Sequence, residues 1–137
     1  MATIKFDQGF KEYNIGGDPD KTIRFVPSDF NLLARINRAM ESIEEIMEKY
    51  KNADESKNAA TEMAACDAAI REQINYVFDS DVCSVAFGNT NCTSLAGGKP
   101  IYMNFLNAVI PEIKKCTNEE KRKAEKNIAK YTYQVVK

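Results

Sequence analysis

The feature that most constrains the fold is a continuous line of apolar side chains between residues 33 and 50. Its members are separated by 3, 4, 3, 4 and 3 residues, the spacing of one face of an α-helix. Because the line covers fewer than three heptads, it predicts a bundle helix rather than a free coiled coil. Ser28-Asp29, directly after Pro27, is a suitable N-cap for this helix. The apolar members are Leu33, Ile36, Met40, Ile43, Met47 and Tyr50.

Two further helices are predicted in the middle of the chain. Residues 58–78 are rich in alanine and carry apolar side chains along one side, which favours a second long helix. A short helix is predicted from Ser80 or Asp81 to Phe87, with Gly88 closing it. The polar stretches 51–58 and 89–98 are expected to be loops, and the second of them to be the least structured part of the core region.

The C-terminal third predicts helix with an interruption. Pro100 suits a first helical turn, and an apolar face follows it. Pro111 falls inside that pattern, so we expect a kink or two short helices there. The sequence Thr117-x-x-Glu120 is a capping box, which predicts the start of a separate last helix.

The N-terminal segment predicts a β-hairpin. Residues 3–15 alternate in part, with Gly9 at a possible bulge or break, and residues 22–26 form a second β-type run. The dense turn signal of residues 16–20 lies between them. The predicted fold is therefore mainly α, with an N-terminal hairpin packed on a bundle of four to five helices. We expect a single domain over 1–137, in which the hairpin covers 1–27, the helical core 28–116 and a basic helix 117–137.

The composition argues against an enzyme. The chain contains no histidine, the commonest general base and metal ligand. Neither glycine pair has the context of a phosphate-binding loop. The cysteines show no close pairing of the kind zinc sites use, so we expect four reduced thiols, no metal and no cofactor. No apolar run is long enough to cross a bilayer, and the first residues lack a secretory signal, so we expect a cytosolic protein without a membrane partner.

Charge is distributed unevenly along the chain. Residues 1–113 hold 11 basic and 17 acidic side chains, a net charge of −6, whereas residues 114–137 hold 8 basic and 3 acidic ones, a net charge of +5. A basic segment of this kind can bind nucleic acid or dock on an acidic protein surface. Few aromatic residues are interleaved with the lysines, so we favour the acidic surface, on a partner or on a second copy of the chain.

Residues 74–113 combine an acidic turn, an Ala-Phe-Gly element, a polar loop and an aromatic helix with a proline. This arrangement resembles the tail assembly chaperones of long-tailed phages and of related prophages of Gram-positive hosts. The strand FKEYNI and the strand-to-helix transition TIRFVPSD are similar to the opening of the same family. The resemblance covers about residues 10–115. Its matching positions in the second half are Phe78, Asp81, Phe87, Gly88, Phe105, Leu106, Ala108, Val109, Ile110 and Pro111.

The resemblance implies a non-catalytic function. Such chaperones coat the long tape-measure protein before the tail tube polymerises around it, and they are absent from the finished virion. Many are also made as a frameshifted longer form thought to recruit the tail-tube protein. We therefore expect this chain in the cytoplasm of the bacterial host. The alternatives are a small nucleic-acid-associated regulator that uses the basic last helix, and a structural tail or head-completion subunit.

Self-association is expected on physical grounds. A two-stranded hairpin has two edges with unpaired backbone groups, and this one carries more apolar surface than two strands can bury between themselves. The basic final helix offers a second, salt-sensitive contact to the acidic body of another copy. The candidate contact residues for a partner or a second copy are Phe6, Phe10, Tyr13, Phe25, Phe87, Phe105, Lys121, Arg122, Lys126 and Lys130.

Overall fold

The computed structural model describes the backbone of residues 1–136 and the side chains of residues 1–128. Over this range the fold is mainly α, with an N-terminal hairpin packed on four α-helices, which confirms the predicted fold class. Two small elements join them, a 3-10 turn at Ala53–Glu55 and a pair of two-residue strands. The regular elements are β1 (Lys11–Ile15), β2 (Asp18–Phe25), α1 (Leu32–Lys49), α2 (Ala59–Phe78), α3 (Val82–Phe87), β3 (Leu95–Ala96), β4 (Lys99–Pro100) and α4 (Ile101–Val136).

The hairpin turns at two glycines and presents one face to the helices. Gly16 and Gly17 both have positive φ, 62° and 78°, as a tight turn that follows the strand twist requires. The turn is shorter than predicted, because the stretch after Gly17 already belongs to β2. Tyr13 pairs with Ile23 across the antiparallel strands, and both side chains point with Phe25 towards the core.

The first strand is shorter than predicted. It begins at Lys11, and residues 1–10 have no regular secondary structure, so the strand expected from residue 3 is wrong. Gly9 provides the physical reason. Its φ of 80° is incompatible with an extended strand, and its amide donates to the Asp7 side chain at 3.0 Å, which closes a local turn.

Helix α1 packs by a slightly different line of residues from the one predicted. The buried side chains are Leu32, Ile36, Ala39 and Ile43, whereas Leu33 is 39% exposed. The helix starts at Leu32 rather than directly after the predicted cap. This start is displaced because the Asp29 side chain accepts the Asn31 amide at 2.8 Å and forms a turn ahead of the helix.

Helices α2 and α3 match their predictions closely. Helix α2 buries one side against α1, including Ile70 and Ile74. The Asp81 carboxylate caps α3 by accepting the Ser84 amide at 3.1 Å, and Gly88 ends the helix with a positive φ. Two of the motif positions are therefore helix ends, which explains why an acidic residue and a glycine suit them.

An ion pair on α2 organises the loop that was expected to be the least structured. Asp67 and Arg71 lie one turn apart and are joined at 3.0 Å. The Asp67 carboxylate also accepts the Cys92 amide at 2.8 Å, and the Arg71 guanidinium donates to the carbonyls of Gly88 and Thr90 at 3.0 and 2.6 Å. Burial alone would raise the pKa of Asp67, but the hydrogen bonds from Cys92 and Arg71 outweigh it and lower that pKa.

Helix α4 is continuous, so the predictions of two short helices at Pro111 and of a separate helix over 117–137 are wrong. Pro111 is exposed and forgoes one backbone hydrogen bond, while Leu106, Ile113 and Cys116 keep the apolar face in register across it. The capping box at Thr117 has no preceding break to cap. Beyond Cys116 the helix leaves the core, and every described side chain from residue 120 onward is exposed.

Replacing a buried apolar residue of α1 with a charged one tests this packing. Ile43 is 1% exposed, so Ile43→Asp should lower the free energy of unfolding by about 3–5 kcal/mol, because the carboxylate loses its water without gaining a partner. The matched control Leu33→Asp should change it by less than about 1 kcal/mol. Urea denaturation measures both, and equal losses in the two variants would contradict the observed register.

The Asp67 carboxylate predicts a pH dependence. Its pKa is lower in the folded than in the unfolded chain, so its stabilisation is complete above the unfolded value of about 3.9 and is lost as pH falls towards the folded pKa. Asp67→Asn should therefore destabilise the protein at pH 6 and narrow the difference in urea midpoint between pH 6 and pH 3. The exposed control Asp54→Asn should leave that difference unchanged. If the urea midpoints of Asp67→Asn at pH 6 and pH 3 differ as much as those of wild type, the ion pair contributes nothing to folding.

Candidate functional site

Five aromatic rings link the hairpin to the helices. Tyr13 stacks on Phe25 with ring centroids 5.2 Å apart, and Phe25 meets Phe78 edge-on at 5.0 Å. Phe78 then contacts Phe105 at 5.9 Å, and Phe105 contacts Phe87 at 5.6 Å. These are favourable aromatic geometries, each contributing about 0.5–1.5 kcal/mol beyond burial. The rings come from β1, β2, α2, α4 and α3, so the cluster fixes the position of the hairpin.

This cluster changes the role of several predicted contact residues. Phe25 and Phe87 are buried and belong to the core, so they expose very little of the contact surface that was predicted for them. Tyr13 and Phe105 are half-buried and retain an accessible side. The motif position Phe78 is also a core ring, which shows that the phenylalanines of the sequence motif build the fold.

A groove lies on the α4 side of the hairpin, and we call it the hairpin groove. Its volume is about 530 Å³, and its walls are largely apolar. The Tyr13 hydroxyl donates to Glu112 across it at 3.2 Å, and burial followed by the nearby thiol and carboxylate raises the pKa of Tyr13. Glu112 is the one charged residue among those lining the groove. The lining residues are Tyr13, Asn14, Ile15, Gly16, Ile23, Phe25, Phe105, Ala108, Val109 and Glu112.

A second concavity, the Phe10 cleft, lies where the hairpin meets α1 and α2. Its volume is about 310 Å³, and Phe25 contributes to its wall as well as to the hairpin groove. Phe10 lies under the Arg24 guanidinium, which is 3.8 Å from the ring centroid. The lining residues are Phe10, Phe25, Val26, Asp29, Leu32, Arg35, Tyr76, Phe78 and Asp79.

An ion pair holds one wall of the Phe10 cleft. Arg35 pairs with Asp29 at 2.8 Å and donates from Nε to the Val77 carbonyl at 2.8 Å, which ties α1 to the end of α2. Burial opposes ionisation of Asp29, but the hydrogen bonds from Arg35 and the Asn31 amide outweigh it and lower the pKa of Asp29. The cleft therefore has a fixed polar edge beside its apolar floor.

Large apolar side chains are exposed on the segments that line the Phe10 cleft. Phe10 and Tyr76 are exposed at its rim, Phe30 is exposed on the turn after Asp29, and Leu33 is exposed in the first turn of α1. Phe30 is 78% exposed. Neither Phe30 nor Tyr76 is among the contact residues predicted from the sequence, and Leu33 is predicted there to belong to the core. Isolated apolar residues carry no periodic signal that would have revealed them.

The remaining predicted contact residues lie elsewhere. Phe6 is exposed in the segment before β1 and lines neither concavity. Lys121, Arg122 and Lys126 are exposed on α4 beyond the core, and Lys130 lies outside the described side chains. The structure therefore brings the aromatic candidates other than Phe6 together around the hairpin and places the described basic candidates on the projecting part of α4.

The cysteines form no disulfide and are all buried. Burial raises the pKa of the Cys83 thiol to about 12 and also raises the pKa of Cys92, so both are poor nucleophiles near neutral pH. Among the described side chains, no group of three His, Cys, Asp or Glu residues is placed to hold a metal ion. Over the same part of the chain, no helix has the length and apolar character needed to cross a membrane.

Comparison with protein-family models, with curated proteins and with solved structures finds no significant match to this chain.

The cysteines predict a simple response to reagents. Because the four thiols are buried and unlinked, neither a chelator nor a reductant should change the melting temperature. A thiol-reactive dye should label them slowly in the folded protein and label all four rapidly in urea. A lower melting temperature in the chelator would instead reveal a structural metal.

Proposed function

We propose that this protein is a phage or prophage tail assembly chaperone that binds and coats the tape-measure protein without catalysis. The observation that supports the proposal best is the exposed apolar surface around the Phe10 cleft. Exposed aromatic side chains beside a preformed concavity are typical of a protein-binding surface. The sequence resemblance over about residues 10–115 supplies the class of partner.

The cleft suits repeated, reversible binding. Its floor is apolar, from Phe25 and Phe78, while the charged residues Asp29, Arg35 and Asp79 also line it. An apolar stretch of a tape-measure helix would cover the exposed aromatics, and these charges would stay at the water boundary. Many copies binding in this way would keep the tape-measure protein from associating with itself until the tube forms.

The exposed basic side chains of α4 supply a second contact. Lys121, Arg122 and Lys126 project beyond the core, and among the described side chains none of them forms an ion pair within the chain. They can attract an acidic surface of the tape-measure protein or of the tail-tube protein over a distance of about 8 Å at physiological salt. This contact would weaken as salt rises, whereas the apolar contact at the Phe10 cleft would not.

Removal of the exposed aromatics tests the proposal. The chain is co-expressed with the tape-measure protein encoded by the same phage, and co-purification of the two is measured. Phe10→Ser with Phe30→Ser should reduce recovery of the tape-measure protein at least tenfold, since about 1.4 kcal/mol of lost binding free energy has that effect. The control is Leu95→Ser, another exposed apolar residue, on β3, which should leave recovery unchanged.

Circular dichroism must show that both variants, the double variant and the Leu95→Ser control, remain folded. Equal recovery from the double variant and from wild type would exclude the Phe10 cleft as the binding surface. Failure of the wild-type chain to bind the tape-measure protein at all would refute the proposed function.

The presence or absence of the protein in finished virions distinguishes a coating chaperone from a structural subunit. A coating chaperone acts in the cytoplasm of the bacterial host and is released as the tube forms, so mass spectrometry of purified virions should not find it. Stoichiometric recovery from virions would instead identify a structural tail or head-completion subunit.

The exposed basic side chains of α4 also favour one alternative, a small nucleic-acid-associated regulator. Phosphate contacts by Lys121, Arg122 and Lys126 would make binding to DNA or RNA fall steeply with salt, with a slope of roughly −0.9 for each phosphate neutralised on duplex DNA. If the protein binds neither DNA nor RNA at low salt, this alternative is excluded.

A further inference from the structure

Residues 3–8, which we call the N-terminal arm, expose apolar side chains in an alternating pattern. Ile4 is 86% exposed and Phe6 is 67% exposed, and the arm forms no regular secondary structure of its own. In an extended conformation Ile4 and Phe6 point to one side, and Lys5 points to the other. The arm therefore has the side-chain pattern of a strand whose apolar face has nothing to pack on.

Strand β1 has a free edge beside an apolar surface. Among the described residues the sheet has two strands, so β1 pairs with β2 on one side, and on its other side the backbone N–H and C=O groups of alternate residues have no strand partner. Tyr13 and Ile15 on β1 line the hairpin groove, which continues onto Phe105 and Val109 of α4. An added strand would find both backbone partners and an apolar floor here.

We propose that the N-terminal arm of a second copy adds to the free edge of β1 and places Ile4 and Phe6 in the hairpin groove. Strand addition of this kind takes affinity from backbone hydrogen bonds and specificity from alternate side chains. The two apolar side chains of the arm have the spacing of Tyr13 and Ile15 on the adjacent strand. The proposal needs no tape-measure protein, because it concerns contacts between copies of this chain alone.

Charge complementarity favours the N-terminal arm of a second copy as the strand added beside β1. With Ile4 and Phe6 in the groove, Lys5 lies on the solvent face of the extended sheet, on the same side as Glu12 of β1. Glu12 is exposed and forms no ion pair among the described side chains. Its neighbour across the hairpin, Arg24, lies over the Phe10 ring instead. Lys5 of the arm therefore meets an unpaired carboxylate on the edge strand.

The arm of the same chain points elsewhere. Residues 7–9 line a different concavity, together with Ser28 on the β2 side and Glu120 of α4. Gly9 bends the chain there, and Phe10 is held at the rim of the Phe10 cleft under Arg24. The arm therefore leaves the body away from its own β1 edge, and the edge remains open to another copy.

The geometry also sets the kind of assembly. Arm and groove are different surfaces, so a contact between them is heterologous and leaves one free arm and one free groove at the ends of a dimer. Such contacts propagate into rings or helical arrays, unless two copies exchange arms reciprocally. Either outcome depends on the same residues.

The test is sedimentation velocity of the purified chain over a range of concentrations. Lys5→Glu and Glu12→Lys should each weaken self-association by about threefold to tenfold, because each places like charges on neighbouring strands. The double variant, which restores opposite charges in the reverse order, should return to within about twofold of wild type. Both residues are exposed, so the fold is expected to be retained.

A second pair of variants tests the apolar contact. Phe6→Ser should weaken association at least about tenfold, the effect of losing one buried aromatic anchor. Leu95→Ser is the matched control, since Leu95 on β3 is about as exposed as Phe6 but lies outside both the arm and the hairpin groove, and it should leave association unchanged.

Three results would overturn the inference. They are a wild-type chain that stays monomeric at every concentration, a charge-swapped double variant that associates no better than the single variants, and an equal loss of association in Phe6→Ser and Leu95→Ser. Because the tape-measure protein is absent from this experiment, these results leave the proposed chaperone function to its own test.

Discussion

The rings of Phe25 and Phe78 meet edge-on with centroids 5.0 Å apart, and this contact holds the hairpin against the helices. A two-stranded hairpin is marginal in water, so this one exists as an ordered unit only where its apolar face is covered. Phe25 and Ile23 supply that face from β2, and Phe78 receives them at the end of α2. The stacking of Tyr13 on Phe25 and the contact of Phe78 with Phe105 extend the attachment to β1 and α4.

The same attachment creates both candidate surfaces. Phe25 contributes to the wall of the hairpin groove on one side and of the Phe10 cleft on the other. A partner in the cleft and a neighbouring copy in the groove would therefore bind on two sides of one buried ring. If both proposals hold, this arrangement gives one small fold a surface for its client and another for neighbouring copies.

Much of the fold could be predicted from the sequence, because periodic burial leaves a readable pattern. The α2 and α3 helices and the hairpin follow from spacing, caps and glycines. The errors have physical causes. The apolar line predicted for α1 contains Leu33 where the structure buries Leu32. The two leucines are adjacent, and only packing decides which of them is buried. The prediction of a helix break at Thr117 is wrong, because a capping box does not end a helix whose preceding residues remain helical.

The candidate site was harder to predict than the fold. Aromatic residues were selected as contacts by type, but Phe25 and Phe87 proved to be core, since type alone does not separate a buried ring from an exposed one. Phe30 and Tyr76 were missed because a single exposed aromatic residue has no periodicity. The groove and the cleft each combine residues far apart in sequence, such as Tyr13 with Val109, and only the folded chain brings them together.

Native-state hydrogen exchange of the hairpin amides tests the central claim most directly, that docking on Phe78 makes the hairpin part of the helical core. If it does, the hydrogen-bonded amides of β1 and β2 will exchange through the same opening as those of α2, with a common opening free energy and the same dependence on denaturant. If the hairpin amides exchange through a separate opening of low free energy while α2 stays protected, the hairpin is only loosely attached. In that case neither surface is preformed.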